Sequence, residues 1–254
     1  MYSSLDFFIF IDMKKAYIFI LLVGTCLLTS FYWLGKKENR DTSRIISHEV
    51  DLTKSTLQFF HKNKAGENYK NAKNLKAELK KEGKELVFAM NGGMYLPNLD
   101  PQGLYIENGK IIKQLDKTQK AYGNFYLQPN GVFLIEKGNK AKVVQTKELK
   151  LNNDVLFATQ SGPMLVINGD LHPKFNEGSS SLYIRNGVGV LPNGNLLFAI
   201  SKEKINFYDF ATYFKEQGCK NALYLDGFVS RMYLPSKNWE QIDGGFGVVI
   251  GEVK

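Results

Sequence analysis

The chain has 254 residues, 44% of them hydrophobic, with 23 Gly and only 7 Pro; this suits one globular domain with an N-terminal addition and excludes disorder over most of the length. A net charge of +8 permits anionic partners, yet no RNP, zinc-finger or Gly-Lys-Ser/Thr phosphate loop accompanies the lysines, so nucleic acid is not an expected partner. Two cysteines, Cys26 and Cys219, leave no internal disulfide and no cysteine-rich metal site in the soluble part.

Residues 16–34 read AYIFILLVGTCLLTSFYWL, an uncharged apolar run between Lys14–Lys15 and Lys36–Lys37. Its length is close to the roughly 20 residues that span a bilayer, and Phe31, Tyr32 and Trp33 fall where an interfacial aromatic belt would sit. No small-x-small cleavage site follows. Residues 1–40 are therefore expected to be a signal or an uncleaved membrane anchor, and the protein to be exported: cell-membrane anchored, periplasmic or extracellular. Residues 41–254 are expected to form a single domain.

Lysines crowd residues 62–84 in alternation with Asn and Glu, which reads as a solvated helix face. A strand is expected within Val50–Phe60. Tyr69, Ala72, Leu75 and Leu79 recur at helical spacing and Gly83 follows, so a helix is expected over 69–81, then a buried strand at Leu86–Met90. The middle of the chain carries apolar runs joined by Asn-Gly, at Asn108, Asn130, Asn168, Asn186 and Asn193. Both central residues of a type I′ turn need positive φ, so each pair predicts a hairpin and the region an antiparallel sheet. Phe207, Phe210, Ala211 and Phe214 then share one helix face, with Asn206 placed to cap it and Gly218 to end it. The strand ALYL leads to Asp226.

Two segments echo each other: ELKKEGKELVFAMNGGMYLP and YFKEQGCKNALYLDGFVSRMYLP. In both, a glycine stands at the same distance before a polar residue that ends an apolar run and is followed by glycine. The pattern reads as a degenerate internal duplication that places Asn91 and Asp226 at equivalent strand ends. The fold expected is α+β, mostly antiparallel or mixed β-sheet with several helices.

An isolated Asp-Gly is most simply a turn. Here Asn91-Gly92-Gly93, Ser161-Gly162-Pro163 and Arg185 stand in similar positions, each ending or following a strand and none needed by an apolar core. Four segments, NGGMY at 91–95, SGPMLVINGDL at 161–171, YIRNGVGVLPNGNLLFAIS at 183–201 and ALYLDG at 222–227, resemble in order the motifs of the phosphodiester glycosidase family. The resemblance implies a cavity lined by these motifs, a carbohydrate phosphodiester as substrate and, by analogy with bacterial members, a place in exopolysaccharide metabolism. It also departs from the family: Phe228 and Val229 stand where the motif usually continues with glycines.

Cleaving a glycosyl phosphodiester develops oxocarbenium character on the sugar and negative charge on a departing phosphate monoester. Under the resemblance, Asp226 is nucleophile or base, Arg185 holds the phosphate with the backbone N–H groups of Gly92, Gly93 and Gly162, and Asn91 orients the sugar or the attacking water. Ser161, Ser230 and Arg231 are further substrate-binding candidates. Asp170 and Glu177 are weaker candidates for a second carboxylate. The three histidines, His48, His61 and His172, are not at ligand spacing, so zinc is not expected and no metal or cofactor is assigned; a calcium site, which leaves little signature in sequence, stays open. The rival readings are a carbohydrate-binding module that has lost catalysis and a hydrolase using Ser161 or Ser230 as nucleophile.

Overall fold

A computed structural model describes residues 44–226 and 228–254; the apolar run at 16–34 lies outside them. The first elements are β1 (Ile45–Val50), β2 (Thr56–Phe60), α1 (Ala72–Lys81) and β3 (Leu86–Asn91). Hairpins follow: β4 (Tyr105–Glu107) with β5 (Lys110–Lys113), and β6 (Gly131–Glu136) with β7 (Lys140–Gln145). β8 (Val155–Ser161) precedes a third hairpin, β9 (Met164–Ile167) with β10 (Asp170–Leu171), and a fourth, β11 (Asn186–Val190) with β12 (Leu196–Ser201). The chain closes with α2 (Phe207–Glu216), β13 (Ala222–Asp226), β14 (Met232–Leu234), β15 (Trp239–Glu240) and β16 (Val249–Val253).

The strands form three sheets, ordered β1-β12-β11-β13-β9-β10, β15-β14-β3-β16-β2 and β5-β4-β8-β6-β7. All their pairings among the described residues are antiparallel, and those residues hold two α-helices. The expected antiparallel sheet is thus present, while the expected α+β content with several helices is corrected to a β-rich fold of minor helix content. Among the described residues short hairpins supply five of the thirteen strand pairings, β4-β5, β6-β7, β9-β10, β11-β12 and β14-β15, and an antiparallel neighbour needs no helical crossover. Val50–Phe60 holds parts of two strands, separated by an Asp51 turn whose Oδ1 accepts from Thr53 N.

Both helices are amphipathic and capped. Asn71 and Asn206 each accept the backbone N–H three residues on, and Gly83 and Gly218 follow the helix ends at φ +74° and +84°. A side chain at those left-handed positions would be strained. Tyr69 precedes the cap rather than starting the helix. Leu75 and Leu79 of α1 pack on Leu86, Ala89 and Val249, whereas Phe210 and Phe214 of α2 pack on Leu165, Ala222 and Tyr224. A larger core, including Phe59, Phe88, Phe133, Phe198 and Leu225, joins the three sheets.

Asn108 and Asn168 have positive φ and turn their hairpins as expected, and Asn193-Gly194 joins β11 to β12. Asn130 and Asn186 do not turn: each precedes or begins a strand and is buried. A hairpin not foreseen, Gly138-Asn139, joins β6 to β7 with both residues at positive φ. The two echoing units lie in different sheets, β3 in the second and β13 in the first.

Candidate functional site

Because β11 runs antiparallel to β13, the first residue of β11 stands beside the last of β13, pairing Asn186 with Asp226. The Asn186 carboxamide then acts as a bracket. Its Oδ1 accepts the Asp226 N–H at 2.9 Å, and its Nδ2 donates to Asn91 Oδ1 at 2.7 Å. Asn91 Oδ1 also accepts the Arg231 N–H at 2.9 Å. An oxygen facing an N–H fixes each amide's orientation. Asn91 Nδ2 is thereby left buried without a hydrogen-bond partner, a donor that a substrate oxygen can satisfy. The β3 end in the second sheet is thus tied to the β11 and β13 ends in the first.

The third sheet joins through β8. Ser161 Oγ donates to the Leu225 carbonyl at 2.7 Å, and Thr159 Oγ1 to the Gly92 carbonyl at 2.8 Å. All three sheets therefore converge where the sequence placed Asn91, Ser161 and Asp226, each under 5% exposed. Breaking one such bond leaves a buried group unsatisfied, at roughly 1–3 kcal/mol.

Asp226 Oδ1 accepts the Phe228 N–H at 3.0 Å, and its carbonyl accepts Ser230 Oγ at 2.7 Å. Tyr224, two residues earlier on the same strand face, has its phenol pushed up by burial, with the Arg185 guanidinium opposing and the Asp226 carboxylate adding to the shift. Carboxylate, phenol and guanidinium are thus electrostatic neighbours. Tyr95 lies in the same field: burial first, and the Asp226 charge second, push its phenol up to about 12.

Arg185 is fully buried. Nε donates to the Ile205 carbonyl and Nη2 to that of Ser181, both at 2.8 Å. The guanidinium lies 3.5 Å from the Phe207 ring centre, and Phe207 stacks on Phe175 at 4.8 Å, which stacks on His172 at 4.7 Å. His172 is buried too, and its imidazole is lowered to about 4 by that burial, so it stays neutral at pH 7. Among the described residues Nη1 has no acceptor in hydrogen-bonding geometry, and burial lowers the guanidinium's pKa while the neighbouring Tyr224 phenol opposes that shift. A desolvated cation held by carbonyls and rings, with one donor face unused, suits an anion of planar or tetrahedral oxygens.

The other candidates have different occupations. The Gly92 N–H is committed to the Val248 carbonyl at 2.9 Å, so its expected role as a phosphate donor is corrected. A Cβ on Gly92 would come within 2.5 Å of Ile250, one on Gly162 within 2.8 Å of the Phe125 carbonyl, and one on Gly93, at φ +102°, would collide with Thr159 Oγ1. These glycines let the sheets approach. Arg231 makes two contacts to Asp243, at 2.9 and 3.1 Å. Ser161 and Ser230 both spend their hydroxyls on carbonyls, which disfavours either as a nucleophile. Asp170 pairs with Lys215 on an exposed hairpin. No cluster of three His, Cys, Asp or Glu able to hold a metal occurs among the described residues. A cleft of about 610 Å³ opens beside Asp116, Gln128, Asn130 and Thr146, and no candidate residue lines it; the bonded network, not that cleft, defines the site.

Sequence reasoning passed over Asn186, Tyr224, Tyr95 and the Phe207 column. Asn186 carried a usable signal, as it adjoins Arg185 inside one of the four motifs.

Residues 84–246 match the model of the phosphodiester glycosidase family. The protein YigE of Escherichia coli (strain K12) is 37% identical over 194 residues, covering 76% of this chain and 75% of its own. Among solved structures, the zebrafish N-acetylglucosamine-1-phosphodiester alpha-N-acetylglucosaminidase catalytic domain, auto-inhibited by its pro-peptide, aligns with TM-score 0.55 at 14% identity, over 84% of this chain and 85% of that one. A putative exported protein from Burkholderia pseudomallei K96243 aligns with TM-score 0.53 at 10% identity, over 82% and 73%.

Proposed function

The chain belongs to the phosphodiester glycosidase family, and from that premise we propose that it hydrolyses a glycosyl phosphodiester. The observation that carries the reading is the buried Asn91–Asn186–Asp226 bracket together with the buried Arg185 guanidinium, whose Nη1 has no hydrogen-bond acceptor among the described residues. Asp226 acts at the anomeric carbon, as nucleophile or as base for water. Arg185 Nη1 takes a phosphate oxygen and offsets the charge that grows there as the sugar C–O bond breaks. The phosphate monoester departs without needing a strong general acid. Asn91 Nδ2 donates to the sugar or to the attacking water. The finer part of the proposal is the setting: an N-terminal signal or anchor at 16–34 would put the enzyme outside the cytoplasm, where envelope and exopolysaccharide phosphodiesters occur. No helix of the described residues is long and apolar enough to cross a membrane, so that setting rests on the N-terminal sequence alone.

The test is a panel of sugar-1-phosphodiesters offered to the purified full chain, reading release of free sugar and phosphate monoester. Turnover of at least one member is expected. Binding without turnover, unchanged by Asp226→Asn, would instead mark a carbohydrate-binding module.

A further inference from the structure

Phe228 is 94% exposed, yet its backbone is fastened. Its N–H donates to Asp226 Oδ1, and two residues on Ser230 Oγ donates to the Asp226 carbonyl while lying 3.2 Å from the carbonyl of Ile184, the neighbour of Arg185. Phe228 and Ser230 are thereby tied to Asp226, which carries the carboxylate, and to Ile184, which precedes Arg185 in the chain. Val229, the smaller of the adjacent apolar pair, packs against the cluster under α1, while the large ring beside it faces water. A single exposed ring is ordinary by itself; what sets this one apart is that its own backbone N–H is hydrogen-bonded to the Asp226 carboxylate at 3.0 Å, within reach of a ligand that engages that carboxylate.

We propose that Phe228 is an aromatic platform for the pyranose ring of the substrate, packing on its C–H face while the anomeric carbon meets Asp226; this rests on the reading of the site as a sugar-phosphodiester hydrolase. The face of a phenyl ring carries the negative lobe of its quadrupole, and the axial C–H bonds of a pyranose present weakly positive hydrogens to it. Stacking removes both apolar faces from water. The sugar hydroxyls stay at the rim, and Asn91 Nδ2 on the buried side supplies a donor for one oxygen. Phe228 thus selects ligands with a pyranose attached to phosphate over acyclic phosphodiesters.

The test is calorimetric titration of the full chain with hexose 1-phosphates, glucose, galactose and N-acetylglucosamine 1-phosphate in turn, for wild type, Phe228→Ala, Phe228→Trp and, as a control on another exposed ring, Tyr122→Ala. Phe228→Ala is expected to weaken the best ligand about tenfold, with Phe228→Trp restoring affinity, Tyr122→Ala matching wild type and all four melting alike. Equal affinity of Phe228→Ala and wild type, or no binding of any sugar phosphate by wild type, overturns the platform. Turnover of phosphodiesters is read separately. Wild type that binds but does not hydrolyse ends the hydrolase reading and leaves the platform to the affinity ratio.

Discussion

The unit from Asn71 to Asn91 and the unit from Asn206 to Asp226 share one local plan. Each has an asparagine cap, a ten-residue helix, a positive-φ glycine two residues past its end and a strand closed by a polar residue, all at the same spacing. They differ in what surrounds them. β3 lies between β14 and β16 in the second sheet, β13 between β11 and β9 in the first. The first helical residue is Ala72 in one unit and Phe207 in the other, and Phe207 is the ring beneath the Arg185 guanidinium. The first unit thus ends in a side chain whose oxygen only receives hydrogen bonds, and the second ends in a carboxylate next to a cation. Under the proposed function, the same local scaffold would supply orientation at one end and chemistry at the other.

Making both ends amides should break this division most severely. Asp226→Asn keeps an oxygen for the Phe228 N–H, so denaturation should be little changed while turnover of a sugar phosphodiester falls on the order of 10³-fold, about 4 kcal/mol of transition-state stabilisation. Activity within tenfold of wild type would remove Asp226 from the chemistry. Removing the bracket comes next. Asn186→Ala leaves the Asp226 N–H without its acceptor and Asn91 Oδ1 without one donor, and urea unfolding should show a loss of about 3 kcal/mol; a loss under 1 kcal/mol would mean the sheets do not depend on it.

The column beneath Arg185 exists only in the second unit and has its own signature in acid. His172 has a folded-state pKa of about 4 against 6.5 unfolded. The fold therefore binds fewer protons than the unfolded chain between those values. Its contribution is fully present above pH 6.5 and is lost as pH falls toward 4. His61, also pushed down by burial, acts in the same sense. His172→Gln should flatten the fall in stability across this window by about 3 kcal/mol, and an unchanged slope would deny the imidazole that part. Smallest are the caps: Asn71→Ala and Asn206→Ala should each cost about 1 kcal/mol in thermal unfolding, equal in stability if the helices are equivalent scaffolds.

Much of this was legible because it was local. The helix-glycine-strand units, their caps and the polar strand ends follow from spacing and residue type. What could not be read was partnership between distant segments. MYLP occurs twice, yet Met232–Leu234 is a strand because β3 lies beside it, while at 94–97 Tyr95 makes only an isolated bridge to Pro101 and the chain enters a turn closed by Leu96 and Asp100. Asn186-Gly187 looks like Asn168-Gly169, but only the latter has positive φ at its asparagine. β13 and β3 read alike and sort into different sheets, a choice made by neighbours rather than propensity. Arg185 and Asp226 stand out as candidates from their motifs, whereas Asn186 reads as part of a turn that the chain does not make.

The six Asn-Gly pairs of the chain also differ in how they will age. Spontaneous deamidation requires the glycine nitrogen to attack the asparagine carboxamide, which a mobile, hydrated turn permits. Asn108, Asn168 and Asn193 are exposed and are open to that slow chemistry, with little consequence beyond an added surface charge. Asn91, Asn130 and Asn186 are buried, and in the bracket the amides are held by their own hydrogen bonds. Were Asn186 converted, an acid would face Asn91 Oδ1 with an oxygen where a donor is required. Holding that amide in an extended, dry strand protects the dipeptide on which the meeting of the sheets depends, so the lifetime of the site is set by the same bond that shapes it.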